Sequence, residues 1–316
     1  MTGAEARALA AQVRALAHAW LEEVRADGLE VLAALPPLEQ ALQAAGAPAE
    51  GALTELAVEY QRLFGFGVPP YESVFLDPSA MLMAPATARV QVFYRRVGWT
   101  PPPARVGAAD HVGLELWLLA DLLATGRRSE AERLVRDHLA FWLPVLVLTV
   151  QRLAPAPFYA VLAKQTVALV LSLLGEVPPS VHLPLLPPPP RYEARGLPEP
   201  PEANGHREDG DSLNELVRRL LTPREAGFYL TREDIGRLSQ GAALPPAIAD
   251  RRAMLRQLFH LAGQYDEVEG VLAALRALVG DVARAYEGLA QAFPGWRPYA
   301  ACWLERLEAT AEVLKV

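Results

Sequence analysis

Gly107-Ala108-Ala109-Asp110-His111-Val112-Gly113-Leu114-Glu115-Leu116-Trp117-Leu118-Leu119-Ala120-Asp121-Leu122-Leu123-Ala124 reads as the entry and body of one helix, closed by Thr125-Gly126. Asp110 is placed to cap it, and Glu115 falls one turn after His111 on the same face. Val112, Leu114, Leu116, Trp117, Leu118, Leu119, Leu122 and Leu123 cover the other faces. A helix apolar nearly all round is enclosed by other helices, so this stretch predicts the centre of an all-α fold, with its polar corner in a crevice.

Helical periodicity extends on both sides. Leu9, Val13, Leu16, Trp20, Leu21 and Val24 form one stripe, and Leu53, Leu56, Ala57, Tyr60, Leu63 and Phe64 another. Further helices are predicted at about 86–97, 129–142, 145–153 and 158–174, with Ser129-Glu130-Ala131-Glu132 as a capping box and Gly175 as a stop. No alternating pattern is long enough for a strand. From Glu176 to Gly210 the chain turns to proline and charge, including Pro187-Pro188-Pro189-Pro190, which predicts a linker over 176–210 between a domain at 1–175 and another at 211–316. Helices resume at Ser212. Thr222-Pro223-Arg224-Glu225 and Thr231-Arg232-Glu233-Asp234 mark helix starts, and longer helices near 246–263, 267–292 and 298–315 predict a small helical bundle.

The 316 residues are 52% hydrophobic and carry a formal net charge of -7, with no basic segment, which argues against a nucleic-acid binder. Cys302 is the one cysteine, which excludes intrachain disulfides and Cys-based metal sites and fits a reducing compartment. The N-terminus opens into an amphipathic helix without an export signal. The apolar stretch Phe141–Leu174 is interrupted by Pro144, Gln151-Arg152, Pro155, Pro157 and Lys164-Gln165, so no run is expected to reach the roughly 20 residues of a span. A cytoplasmic protein without membrane insertion is the expectation.

His111 and Glu115 are spaced as metal ligands on a helix, but no second ligand pair or Cys cluster accompanies them, and no metal is expected. As a catalytic pair they lack a nucleophile: Ser73 is the only hydroxyl in a suggestive context, and it has no Gly-x-Ser-x-Gly elbow. On the residues alone, the favoured reading has Asp110 capping the helix while His111 and Glu115 satisfy each other. The second unusual segment is Phe64-Gly65-Phe66-Gly67-Val68-Pro69-Pro70-Tyr71-Glu72-Ser73-Val74-Phe75-Leu76-Asp77-Pro78. Either Tyr71 and Phe75 pin this loop onto the core, or it walls a peptide groove with Glu72 and Asp77 facing basic residues of a ligand.

Tyr60-Gln61-Arg62-Leu63-Phe64, Pro70 to Leu76, Phe93-Tyr94 with Gly98, and Asp110 to Leu116, in this order and spacing, resemble the TorD/DmsD family, and more distantly the NarJ group, over roughly residues 5–175. The resemblance implies an all-helical cytoplasmic chaperone, not an enzyme. Such a protein binds the twin-arginine signal peptide and apo catalytic subunit of a molybdopterin oxidoreductase until the cofactor is inserted. It carries Tyr71, Ser73 and Leu76 over as loop contacts and Asp110-His111 as the hinge pair of the peptide site.

A receptor for two guanidinium groups and an apolar run needs carboxylates beside a hydrophobic groove, a need that Glu72, Asp77, Asp110 and Glu115 among Tyr71, Phe75, Leu76 and Trp117 would meet. No cofactor is expected, although weak guanine-nucleotide binding occurs in some members; no Walker-type loop is present here. A homodimer by exchange of halves would hinge around Pro101-Pro102-Pro103. One departure from the family is Gly107-Ala108-Ala109, where an acid and a proline often precede the Asp-His pair. Residues 210–316 lie outside the common unit, with Trp296, Tyr299 and Trp303 as candidate client contacts or core. The rival readings are a hydrolase using His111 as general base oriented by Glu115, and a scaffold subunit that binds a folded partner.

Overall fold

The computed structural model describes residues 3–104, 106–153, 157–175 and 208–315, with side chains in the last stretch from Leu213 onward. Among these residues the fold is all-α, and the nearest approach to a sheet is one isolated antiparallel bridge between Tyr71 and His111. Two compact units emerge, Met1–Val181 with Phe293–Trp296, and His182–Ala292 with Arg297–Val316. The proline-rich segment expected to be a linker lies outside the described residues from 176 to 207.

The first unit contains α1 (Gly3–Leu21), α2 (Pro36–Ala44), α3 (Glu50–Tyr60, continuing as a π turn over Gln61–Gly67), the short α4 (Glu72–Leu76), α5 (Pro85–Arg96), α6 (Val112–Ala124), α7 (Arg128–Leu153) and α8 (Pro157–Ser172). α6 is the central helix that its composition demands: Val112, Leu116, Leu118 and Leu119 have no exposed surface. Its closest partner is α1, whose apolar stripe of Val13, Leu16 and Trp20 is likewise fully buried. Gly113 allows the contact, since a β-carbon there would lie 2.5 Å from Leu21 Cγ and 3.0 Å from the Ala17 carbonyl oxygen.

Two local expectations are corrected. Pro144 does not interrupt the chain: Arg128–Leu153 is one 26-residue helix, by length and composition enough to cross a membrane, with 78% of its apolar window buried inside the fold. Pro144 removes the bond to Ala140, and the π turn Val135–Leu139 ends immediately before that residue, so the helical ladder is already loosened where the proline needs room. The Ser129 capping box does not form either. The helix begins one residue earlier, at Arg128, and Ser129 Oγ donates to Glu130 instead.

The second unit contains α9 (Glu208–Leu221), α10 (Arg232–Gly241), α11 (Arg251–Gln264), α12 (Val268–Ala292) and α13 (Arg297–Val313). The capping box at Thr231 is complete, with Asp234 N donating to Thr231 Oγ1 and Thr231 N to Asp234 Oδ2, both at 3.0 Å. Thr222 makes no such cap; its hydroxyl donates back to the Arg218 carbonyl. Tyr299 and Trp303 are fully buried, as is Trp296, which belongs to the first unit and donates to the Ala140 carbonyl there, so all three are core rather than exposed contacts for a client. Cys302 is partly exposed and lies near Arg306, but burial outweighs that charge and pushes the thiol pKa up.

Candidate functional site

The two motif segments meet. Tyr71 and His111 both hold extended backbone as the residues that precede α4 and α6. Glu72 N donates to the Asp110 carbonyl and Val112 N to the Pro70 carbonyl, each at 3.0 Å, which pairs the two helix entries antiparallel. Their rings pack edge-on, with centroids 4.9 Å apart.

This pairing moves the cap expected from sequence. His111, not Asp110, caps α6, its Nδ1 accepting from Gly113 N at 3.0 Å. Asp110 reaches across to α4, where Oδ2 accepts from Ser73 N at 2.7 Å and supplies the acceptor that the tyrosine before that helix cannot. Gly107-Ala108-Ala109 is held by two phenols: Gly107 N donates to Tyr71 Oη and Tyr94 Oη to the Ala109 carbonyl, each at 2.9 Å.

Behind the junction lies a group of buried carboxyls. Glu72, Asp110 and Glu115 have no exposed surface. Glu72 is held by Arg89 Nη2 at 2.7 Å and His138 Nδ1 at 3.0 Å. Among the described residues neither oxygen of Glu115 meets a partner at full hydrogen-bond geometry, so His111 and Glu115 do not satisfy each other as the residues alone suggested. Burial, reinforced by the charges of Glu72 and Asp110, pushes the Glu115 carboxyl well above its usual range; the nearby Trp142 indole and Arg89 oppose this only in part. Burial also pushes His111 down to about 3, leaving a neutral imidazole whose Nδ1 serves as the cap acceptor.

The remaining sequence-selected residues sit around this junction. Ser73 has no exposed surface, and Phe75 lies against Trp142 with ring centroids 5.5 Å apart. Leu76 is buried, and Asp77 accepts from Ser79 N, Ser79 Oγ and Ala86 N, pinning the following loop. Trp117 lies under the Arg14 guanidinium of α1, 4.4 Å from its ring centre. The four carboxylates expected to meet a ligand's arginines are therefore all buried and turned inward. Among the described residues, no group of three His, Cys, Asp or Glu is placed to hold a metal ion.

Arg89 and His138 were not legible as site residues from the sequence, and Tyr94 was legible only as part of the resemblance; His138 is buried although its helix neighbours Arg136 and Asp137 are polar too. Sequence reasoning also missed Met81-Leu82-Met83, which are 65%, 44% and 70% exposed. Ala80 and Met83 bound this turn with φ of 50° and 57°, a left-handed conformation that non-glycine residues seldom adopt. The turn lies at the mouth of the junction: a β-carbon at Gly107 would stand 3.4 Å from Tyr71 Oη and 3.9 Å from Leu82 Cδ1.

The all-helical unit that joins the Tyr-Glu-Ser and Asp-His segments at two helix entries is similar to proteins of the TorD/DmsD type over part of its length. Residues 7–148 match the nitrate reductase delta subunit family. A stretch of 109 residues, 33% of the chain, is 32% identical to the Tat proofreading chaperone DmsD of Salmonella typhi, covering 53% of that protein. The chain thus spans about half the length of this relative. Together these matches uphold the resemblance of the N-terminal unit to TorD and DmsD.

Proposed function

We propose that this protein is a cytoplasmic maturation chaperone that captures the twin-arginine signal peptide and apo catalytic subunit of a molybdopterin oxidoreductase. The carrying observation is the exposed Met81-Leu82-Met83 turn fixed against the Tyr71–His111 junction. Methionine is flexible and polarizable, so such a surface suits an apolar run of variable sequence. The apolar part of the leader lies across this turn and the Tyr71 ring; buried apolar area supplies most of the affinity, while charge pairs supply selectivity. The kinship to a Tat proofreading chaperone supports the same reading.

The junction favours binding over catalysis. A general base must reach a reacting proton, whereas His111 is buried and its Nδ1 is engaged at the cap, and Ser73 offers no exposed hydroxyl. Calorimetric titration with a synthetic peptide carrying two adjacent arginines ahead of an apolar run tests the proposal. Met81→Ser with Met83→Ser is expected to weaken binding about tenfold with unchanged helical content. Affinity equal to that of the unaltered chain would place the apolar contact elsewhere and overturn the reading.

A further inference from the structure

Burial of Glu72, Asp77, Asp110 and Glu115 leaves the leader's arginines without an acceptor at the junction, and a groove on the same unit meets that need. Its volume is about 430 Å³, and Ala57, Val58 and Phe66 form its apolar wall, with Glu23, Gln61 and Arg62 at its edge. The π turn after α3 keeps Leu63 and Phe64 in the core while turning Phe66 outward, so Phe66 is 71% and Val58 65% exposed.

The one cation that lines this groove already has partners. Arg62 is neutralised by two hydrogen bonds to Glu59, at 2.7 Å each, and also donates to the Leu153 carbonyl. Glu23 accepts from the neutral amide of Gln61 at 2.7 Å, and Glu22 lies 3.2 Å from the His18 ring. Glu23 thus borders the apolar wall with Glu22 next to it in the chain, and neither meets a guanidinium or ammonium in these contacts.

The groove also adjoins the candidate site. Glu22 and Glu23 follow directly on Leu21, the residue that packs against Gly113 two positions after His111. The Tyr60 phenol, whose hydroxyl donates to the Trp20 carbonyl, feels Tyr71 as well as Glu23 and Glu22, which add to burial in pushing its pKa up.

We propose that this groove docks the arginine end of the leader: an apolar side chain enters between Ala57, Val58 and Phe66, and the neighbouring guanidinium groups pair with Glu22 and Glu23. The complement of an apolar wall bordered by a carboxylate, with a second next to it in the chain, is a segment that carries both cations and an apolar anchor, and arginine pairs with carboxylates bidentately where lysine cannot. This inference rests on the chaperone reading above and adds to it where the cations bind.

Fluorescence anisotropy on the full chain tests it, with a labelled synthetic peptide carrying two arginines ahead of an apolar run and a twin in which both are lysine. Phe66→Ala is expected to weaken the arginine peptide about tenfold. Glu22→Gln with Glu23→Gln is expected to weaken it, to abolish the preference for arginine over lysine and to flatten its salt dependence. If these variants bind like the unaltered chain while Met81→Ser with Met83→Ser still loses affinity, the groove assignment is overturned and the chaperone reading stands. If the unaltered chain binds neither peptide, both fall. Should Phe66→Ala convert a dimer to a monomer in sedimentation with peptide affinity unchanged, the groove holds a second copy, and the proposal is overturned in that way.

Discussion

The Tyr71 ring stands edge-on to the His111 imidazole, with planes at 79°, while the backbones of the same two residues form the single antiparallel bridge of the described structure. That relationship ties the entry of α4 to the entry of α6, and the two caps cross over it. Asp110→Ala leaves the buried Ser73 N–H unpaired and is expected to lower the unfolding free energy by about 1–3 kcal/mol. Asp110→Asn retains an acceptor and should lose less. Adding His111→Ala to Asp110→Ala removes both caps, so peptide affinity should fall together with the melting temperature. Thermal unfolding and calorimetry on the same samples check this; a double variant with unaltered affinity would remove the junction from the binding site.

The buried His111 and Glu115 give the stability a predictable pH profile. His111 falls from 6.5 to about 3 on folding, so the unfolded chain binds a proton that the folded chain refuses, and its stabilising contribution is complete above 6.5 and lost as the pH falls toward 3. Glu115 runs oppositely: its folded pKa lies well above 4.5, so its contribution is complete below 4.5 and is lost as the pH rises. Each slope is bounded at about 1.4 kcal/mol per pH unit for one proton, and the two oppose each other where the pH rises above 4.5. His111→Asn keeps a cap acceptor and should remove the acid-side loss; Glu115→Gln should remove the loss on the alkaline side. Urea unfolding across this range reads both effects, and profiles parallel to that of the unaltered chain would contradict them.

Glu72 is fully buried between Arg89 and His138, whereas the Arg89 side chain is 35% exposed. Removing the cation strands a buried carboxylate, so Arg89→Met is expected to cost about 3 kcal/mol. Glu72→Gln added to Arg89→Met should recover a substantial part of that loss, because the neutral amide no longer needs the guanidinium. A double-mutant cycle by chemical denaturation measures the coupling, and strictly additive losses would show that the pair does not act as a unit.

The helices were legible because their signals are local. The apolar surround of α6, the stripe of α1 and the Thr231–Asp234 box each depend on residues within a few turns of one another, and each forms as read. The capping of α6 was misread because the side chain of Asp110 is drawn to Ser73, 37 residues away, by a pairing of loops that leaves no periodic trace. The same limit hid the Arg89–Glu72–His138 contacts, which join three separate helices. Glu72 and Asp77 looked available because acids in a segment bounded by glycine and proline are normally solvated; here Glu72 opens a short helix and is enclosed between Arg89 and His138. Pro144 misled for a different reason, since a proline is read as a break unless the backbone just ahead of it has already loosened, as the π turn over Val135–Leu139 does.

Gly113 links the packing of α1 to the site. A β-carbon at this position would meet Leu21 Cγ at 2.5 Å and Cδ2 at 2.9 Å, distances a rotamer change in Leu21 could relieve, but also the Ala17 carbonyl at 3.0 Å, which belongs to the backbone of α1. Gly113→Ala must therefore shift α1 away from α6, at an expected cost of about 1–3 kcal/mol. Leu21→Ala in the same chain should remove the side-chain clash and leave the carbonyl contact, so it should restore part of the stability and not all of it. Because Glu22 and Glu23 follow Leu21, the shift should also reduce the preference for an arginine-bearing over a lysine-bearing peptide. Melting temperature and peptide anisotropy, measured together on Gly113→Ala, decide the matter: a stable protein with unchanged selectivity would mean that α1 can move without disturbing the site.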